Sequence, residues 1–266
     1  MDHWHNESGS PLSSTAWLQA HHRAKLTERR LFAQSILDCQ PKRIVDLGCG
    51  PGLWLELLNE LAPADCEFFG IDNNLAAIEE ARRRAENWSR PTRFLNLDLD
   101  ENIGGLPNAD TFLAFNLFPY LREPAKVINA IKAKTLASGR LIVRQYDGAL
   151  LRFGPEDQRR RGRMETSLQT SVLGSEEFRH YDLDSIFEIL EASQFAKKEL
   201  AFELFQRISP YPPEFNQYLT NMLAWIAAHT APDVSSELTK WLAETSSANR
   251  IAPSYFLEVD LVGWLS

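Results

Sequence analysis

Cysteine is scarce in this chain of 266 residues: there are three, at positions 39, 49 and 66, odd in number and without metal-ligand spacing. That usage suits reduced thiols in a cytosol and predicts no metal site. Cys49 lies between two glycines, where a small side chain is the simplest explanation. No apolar run approaches the roughly 20 residues that cross a bilayer. No secretory h-region opens the sequence either, so a cytoplasmic protein without a membrane partner is expected, and the sequons at Asn6 and Asn87 carry no weight. Positive charge is also short. Lys and Arg number 28 against 36 Asp and Glu, a formal charge of −8 that disfavours a polyanion-binding surface and hence a nucleic-acid partner. Internal repeats and low-complexity tracts are absent. What is present is 44% hydrophobic content in a length that fits one α/β domain with an added subdomain.

Strand and helix patterns alternate through the first half. Thr15 is a cap for one helix running to about Asp38, ended by Pro41, whose basic middle (His21, His22, Arg23, Lys25, Arg29, Arg30) reads as a solvated face. Strands are expected at 43–47, 67–71, 93–97, 110–117 and 140–146, the fourth almost wholly apolar, as a strand covered on both faces should be. Helices lie between them, one carrying Leu53, Trp54, Leu57, Leu58 and Leu61 at helical spacing, one capped by Asn74, and one over about 123–136 that ends at a Ser138-Gly139 turn. This alternation predicts a doubly wound, mostly parallel sheet.

Residues 147–180 read as irregular and basic, with arginines at 159, 160, 161 and 163 that fit a solvated loop or an anion site. A helix over 183–192 and a strand over 195–206 follow. Pro212-Pro213 opens a helix with Phe215, Tyr218, Leu219, Met222, Leu223 and Ile226 on one face, and a second helix carries Val234, Leu238, Trp241 and Leu242. In the last strand, 254–264, Tyr255, Leu257, Val259 and Leu261 alternate with Glu258, Asp260 and Val262.

The stretch Arg43 to Gly52 (RIVDLGCGPG) organises the rest: a short strand ends in Asp46, glycines stand at 48, 50 and 52, and a helix follows at once. Glycines let a ligand lie directly on the backbone, and the helix N-terminus offers unpaired N–H groups. A dinucleotide fingerprint needs a third glycine three residues after the second. That position is Leu53 or Leu55 in the two registers, and Asp46 disfavours a pyrophosphate nearby.

Asp-x-Gly-x-Gly-x-Gly at 46–52 instead resembles motif I of the class I S-adenosylmethionine-dependent methyltransferases, and the resemblance covers about residues 40–146. It continues through Asp72, Asp98 and Asn116 at successive strand ends. The 22 residues from Gly50 to Asp72 are close to the roughly 20 of one helix plus one strand. The resemblance implies a seven-stranded sheet whose last two strands form a hairpin, the final one antiparallel inside the sheet, and S-adenosyl-L-methionine as cofactor. Gly48 and Gly50 would let the methionine end and ribose lie on the backbone, with Asp46 an acid beside a cationic ligand. Asp72, with Asn73 beside it, would take the ribose hydroxyls, Asp98 and the Leu99 N–H would meet adenine, and Asn116 and Leu117 would line the region of the methyl group.

Methyl transfer is a direct displacement, needing alignment and exclusion of water, with a base only if the nucleophile arrives protonated. Tyr120, Gln145, Tyr146 and His180 are catalytic candidates by position alone, with packing roles the plainer explanation. The run from Asn116 to Tyr120 does not match the Asn-Pro-Pro-Tyr signature of amino methyltransferases acting on nucleic-acid bases. The expected organisation is an N-terminal segment and cap helix (1–40), a cofactor-binding core (41–207 and 253–266) and a helical insertion (208–252). The insertion would wall an enclosed pocket rich in Trp17, Tyr120, Phe153, Tyr218 and Trp225, or form a homodimer interface. The function expected is methyl transfer to an O, N or C atom of a small, biosynthetic or secondary metabolite. Alternatives are a protein or RNA methyltransferase, a nicotinamide oxidoreductase and a non-catalytic binding protein of the same fold.

Overall fold

The computed structural model describes residues 14–147, 152–173, 183–228, 230–246 and 253–266. Two helices, α1 (Thr15–Ala24) and α2 (Leu26–Leu37), precede strand β1 (Arg43–Leu47). Then come α3 (Leu53–Leu61), β2 (Glu67–Asp72), α4 (Leu75–Arg84), β3 (Thr92–Asn96), β4 (Ala109–Phe115), α5 (Pro124–Lys134) and β5 (Thr135–Tyr146). The second half adds β6 (Arg152–Gly154), α6 (Gln158–Leu173), α7 (Leu183–Glu191), β7 (Lys198–Ile208), α8 (Pro213–Ala228), α9 (Pro232–Ser246) and β8 (Tyr255–Leu265).

The sheet runs β3-β2-β1-β4-β5-β8, parallel up to β5, with β8 antiparallel to its neighbours. Strand β7 pairs along the whole of β8, while β5 and then β6 share its other edge. Eight strands thus occupy seven positions across the sheet, with β8 inside it as expected. Strand β1 shows why the sheet is covered twice. Ile44 packs with α2, α3 and α4 residues such as Ile36, Leu58 and Ile78, whereas Val45 and Leu47 pack with α5 and α7 residues such as Ile128 and Ile186.

Three expectations change. The N-terminal helix is two: Ser14, not Thr15, caps α1, and Lys25 (φ −113°, ψ 16°) breaks the helix before α2. The Ser138-Gly139 turn is absorbed into β5, where a Cβ on Gly139 would stand 2.7 Å from the Asp110 carbonyl oxygen, so glycine permits close strand approach. Within the basic stretch, residues 158–173 form α6, whose first N–H groups (Arg159, Arg160) donate to Asp157. Arg160 and Arg163 pair with Glu237 on α9, so these arginines bind α6 to its neighbour. The sequence alternation in β8 leaves open which row is buried, and it is the row with the acids: Glu258 and Asp260 are 0% and 3% exposed.

Those acids meet the N-terminal basic segment. Lys25 pairs with Glu258 and lies 3.8 Å from Asp260, Arg144 reaches Asp260 at 2.6 Å, and the Tyr218 hydroxyl donates to Glu258 at 2.6 Å. Around this network a third core forms from α1, α8 and α9, including Trp17, Phe153, Phe215, Tyr218, Trp225 and Trp241. The apolar face of α8 is therefore packed against its own chain. Removing one partner strands a buried charge, a loss of ~3–5 kcal/mol. Lys25→Ala should lower the urea-unfolding free energy by about that amount, and Lys25→Met combined with Glu258→Leu should recover most of it.

Candidate active site

The site lies at the C-terminal ends of β1, β2, β4 and β5, where an open α/β sheet leaves its crevice. Its floor is the turn after β1. Gly48, Gly50 and Gly52 have φ of 69°, 51° and 79°, a left-handed region that L residues with a Cβ rarely adopt. The turn is tied to β2, because the N–H groups of Gly48 and Cys49 both donate to the Ile71 carbonyl (2.8 and 3.0 Å). Asp72 continues the tie, accepting from the Gly50 N–H at 2.8 Å and the Asn74 N–H at 2.9 Å. Asn74 in turn caps α4 by accepting from Ala76 and Ala77.

One cavity brings most of the candidate residues together. Gly48, Gly50, Asp72 and Asn73 line one side, Asp98 and Leu99 an adjoining part, and Asn116, Leu117, Tyr120 and Tyr146 the far side. Asp98 accepts from the Asp100 N–H at 2.8 Å, which fixes the loop after β3. Asn116 has φ of 52°, and its side-chain oxygen accepts from the Tyr146 N–H at 3.1 Å, joining the ends of β4 and β5. Of the other positional candidates, Gln145 is fully buried and does not line the cavity, and His180 lies outside the described residues.

Asp46 stands beneath the cavity rather than in its wall. It is 2% exposed, and its Oδ2 has no hydrogen-bond partner. Burial, with the Asp72 carboxylate adding to it and the Arg29 guanidinium opposing it, pushes the Asp46 carboxyl up to about 8, so it is mostly protonated at neutral pH. Burial likewise raises Asp72, against the lowering effect of its backbone N–H donors.

The roof was not legible. Trp17, Leu18 and His21 of α1 and Arg29 of α2 line the cavity, so the basic segment is turned inward rather than solvated. Its residues His21, His22 and Lys25 are 4%, 9% and 4% exposed. The available signal was Trp17, Leu18 and His21 at i, i+1 and i+4 beside a run of cations in which Glu28 is the one acid. Of the aromatic wall expected, Trp17 and Tyr120 do line the cavity. Phe153, Tyr218 and Trp225 do not, because they pack among themselves and their neighbours in the third core, 0–1% exposed. No described residue of the 208–252 insertion reaches the cavity. The insertion backs α1 instead.

Comparison with known proteins agrees with this geometry. Residues 44–139 match the family model described as a methyltransferase domain. The malonyl-[acyl-carrier protein] O-methyltransferase of Legionella pneumophila is 36% identical over 73 residues, 27% of this chain and 25% of that protein. The trans-aconitate 2-methyltransferase of Pseudomonas aeruginosa is 38% identical over 71 residues, 25% of this chain and 26% of that protein. The chain thus spans about a quarter of the length of these curated relatives. Two solved structures share the fold over most of both chains. The YcgJ protein of Bacillus subtilis has a TM-score of 0.54 at 14% identity, covering 92% of this chain and 98% of that one. Precorrin-6y C5,15-methyltransferase of Geobacter metallireducens has a TM-score of 0.51 at 12% identity, covering 90% and 89%. Residues 44–139, the segment that supplies most of the cavity floor, are therefore similar to a methyltransferase domain. Among the described residues no helix is long and apolar enough to cross a membrane.

The buried acid gives a test that needs no ligand. A carboxyl raised from 3.8 to about 8 contributes stability that is whole below its ordinary value and is lost as pH rises towards 8. Wild-type protein should lose, relative to Asp46→Asn, on the order of a few kcal/mol in urea unfolding between pH 5 and pH 8.

Proposed function

We propose that the protein is an S-adenosylmethionine-dependent methyltransferase acting on a small molecule through an O, N or C atom. The observation that carries this reading is the single cavity lined by the Gly48–Gly50 backbone, Asp72 and Asp98 on one side and by Trp17, Tyr120 and Tyr146 on the other. When bound, the cofactor supplies a methyl group activated by a sulfonium centre.

The residues present fit such a ligand. Gly48 and Gly50 would hold its amino-acid end and ribose against the backbone, and a Cβ on Gly48 would come within 3.0 Å of Leu117. Asp72, already oriented by two N–H donors, keeps acceptor capacity for ribose hydroxyls, with Asn73 beside it. Asp98 and the Leu99 N–H would bracket the adenine edge. The orphan Oδ2 of Asp46 answers to a cation, whose arrival would favour the ionised carboxylate. Asn116, fixed against Tyr146, would border the reacting region.

On the acceptor side Tyr120 and Tyr146 would orient the nucleophile, and Trp17 and Leu18 would exclude water. We assign residues 41–207 and 253–266 to the cofactor-binding core and 1–40 to its cover. The 208–252 insertion would support that cover rather than wall the cavity directly. The name of one curated relative, a trans-aconitate 2-methyltransferase, supports a small acceptor, and that of the other, a malonyl-[acyl-carrier protein] O-methyltransferase, supports transfer to oxygen on an acyl group.

Calorimetry with S-adenosylhomocysteine and with NADH tests the cofactor. The former should bind and the latter should not, and binding of NADH alone would overturn the reading. Asp72→Ala should weaken S-adenosylhomocysteine by about 1–3 kcal/mol, through loss of a charged acceptor.

A further inference from the structure

One charged group in the cavity has no role in the assignments above. Arg29 of α2 lines the cavity, and its guanidinium reaches Nδ1 of His22 at 2.8 Å and Nδ1 of His21 at 3.5 Å while lying 4.8 Å from the Trp54 ring. No described carboxylate comes within ion-pair distance of it. Of the acids that feel its charge, Glu258 is engaged by Lys25 and Asp260 by Arg144, while the buried Asp46 carboxyl stays raised despite Arg29. Lys25, Arg29 and Arg144 therefore share two deeply buried carboxylates, since the third acid of the network, Glu203, is 47% exposed.

A guanidinium only donates hydrogen bonds, so both Nδ1 atoms present lone pairs and each ring carries its proton on Nε2. Burial and the surrounding cations keep both imidazoles neutral: His21 lies well below 6.5 and His22 falls to about 3. The His21 ring is 4% exposed, lines the same cavity, and its Nε2 has no hydrogen-bond partner. A planar cation held against an indole and a stranded N–H donor thus meet at one wall.

The geometry points to Arg29, with the His21 Nε2–H beside it, as a receptor for a carboxylate bound in this cavity. The inference rests on the methyltransferase reading and sharpens it. Two oxygens of a carboxylate match the guanidinium fork, and their charge offsets the local surplus of cations. That carboxylate comes either from the amino-acid end of the cofactor or from the methyl acceptor.

Calorimetry separates the two sources. Wild type, Arg29→Gln and Arg29→Lys are titrated with S-adenosylhomocysteine and with 5′-methylthioadenosine, which keeps the nucleoside and thioether but has no carboxylate. Protein loaded with S-adenosylhomocysteine is then titrated with trans-aconitate as a polycarboxylate probe. In Arg29→Gln, a loss of about tenfold or more for S-adenosylhomocysteine with methylthioadenosine unchanged assigns the receptor to the cofactor. Unchanged S-adenosylhomocysteine with trans-aconitate weakened by about tenfold or more assigns it to the acceptor. Arg29→Lys, which keeps the charge without the fork, should fall between wild type and Arg29→Gln. Equal weakening of both nucleosides marks a structural role and overturns the proposal, as does no change with any ligand. A wild type that binds methylthioadenosine but responds to Arg29→Gln nowhere sinks the receptor alone, whereas a wild type that binds neither nucleoside sinks the methyltransferase reading itself.

Discussion

Everything at the site depends on a backbone constraint: three consecutive alternate residues after β1 hold left-handed φ angles. A turn that tight brings the chain from the buried end of β1 to the start of α3 without lifting off the sheet. It presents N–H groups to Asp72 and Ile71 and brings the Gly48 and Gly50 backbone to the cavity floor. A Cβ at Gly52 would press on Ala81 of α4 at 3.2 Å, and one at Gly48 on Leu117 at 3.0 Å. The glycines therefore serve the packing of α4 and the loop after β4 as much as ligand approach. Asp46 pays for that compactness by being sealed beneath the turn with a carboxyl that resists ionisation.

The glycine-floored half of the cavity was legible because its determinants are local. Each strand end is marked by an acid or amide, each intervening helix has a periodic apolar face, and the glycine spacing excludes a dinucleotide fingerprint within ten residues of sequence. The parallel sheet, its internal antiparallel last strand and the helical insertion follow from the same short-range patterns together with the family resemblance.

The roof and the third core were hidden for the opposite reason. Lys25 and Glu258 are 233 residues apart, and neither helical nor strand periodicity can announce a partner at that distance. Taken alone, the cations of α1 and α2 look solvated, and the alternation in β8 leaves its buried row open. Together they are a buried network, and the burial of each follows from the other. The same long-range closure accounts for Phe153, Tyr218 and Trp225. Their aromatic character indicated burial, but whether they bordered a ligand or one another depended on where α8 and α9 docked. They dock behind α1, so the described residues of the insertion back the cavity roof without lining the cavity.

The cavity is thus two surfaces of different origin, a glycine-floored half built by the sheet and a roof brought from the N-terminal helices. The central claim is that the first holds a methyl donor facing a small acceptor under the second. Incubating the protein with isotopically labelled S-adenosylmethionine and a small-molecule extract, and following the label by mass, tests this most directly. The account predicts a small-molecule product heavier by one labelled methyl group. Label appearing only in protein or RNA when these are supplied, or in nothing at all, would contradict it.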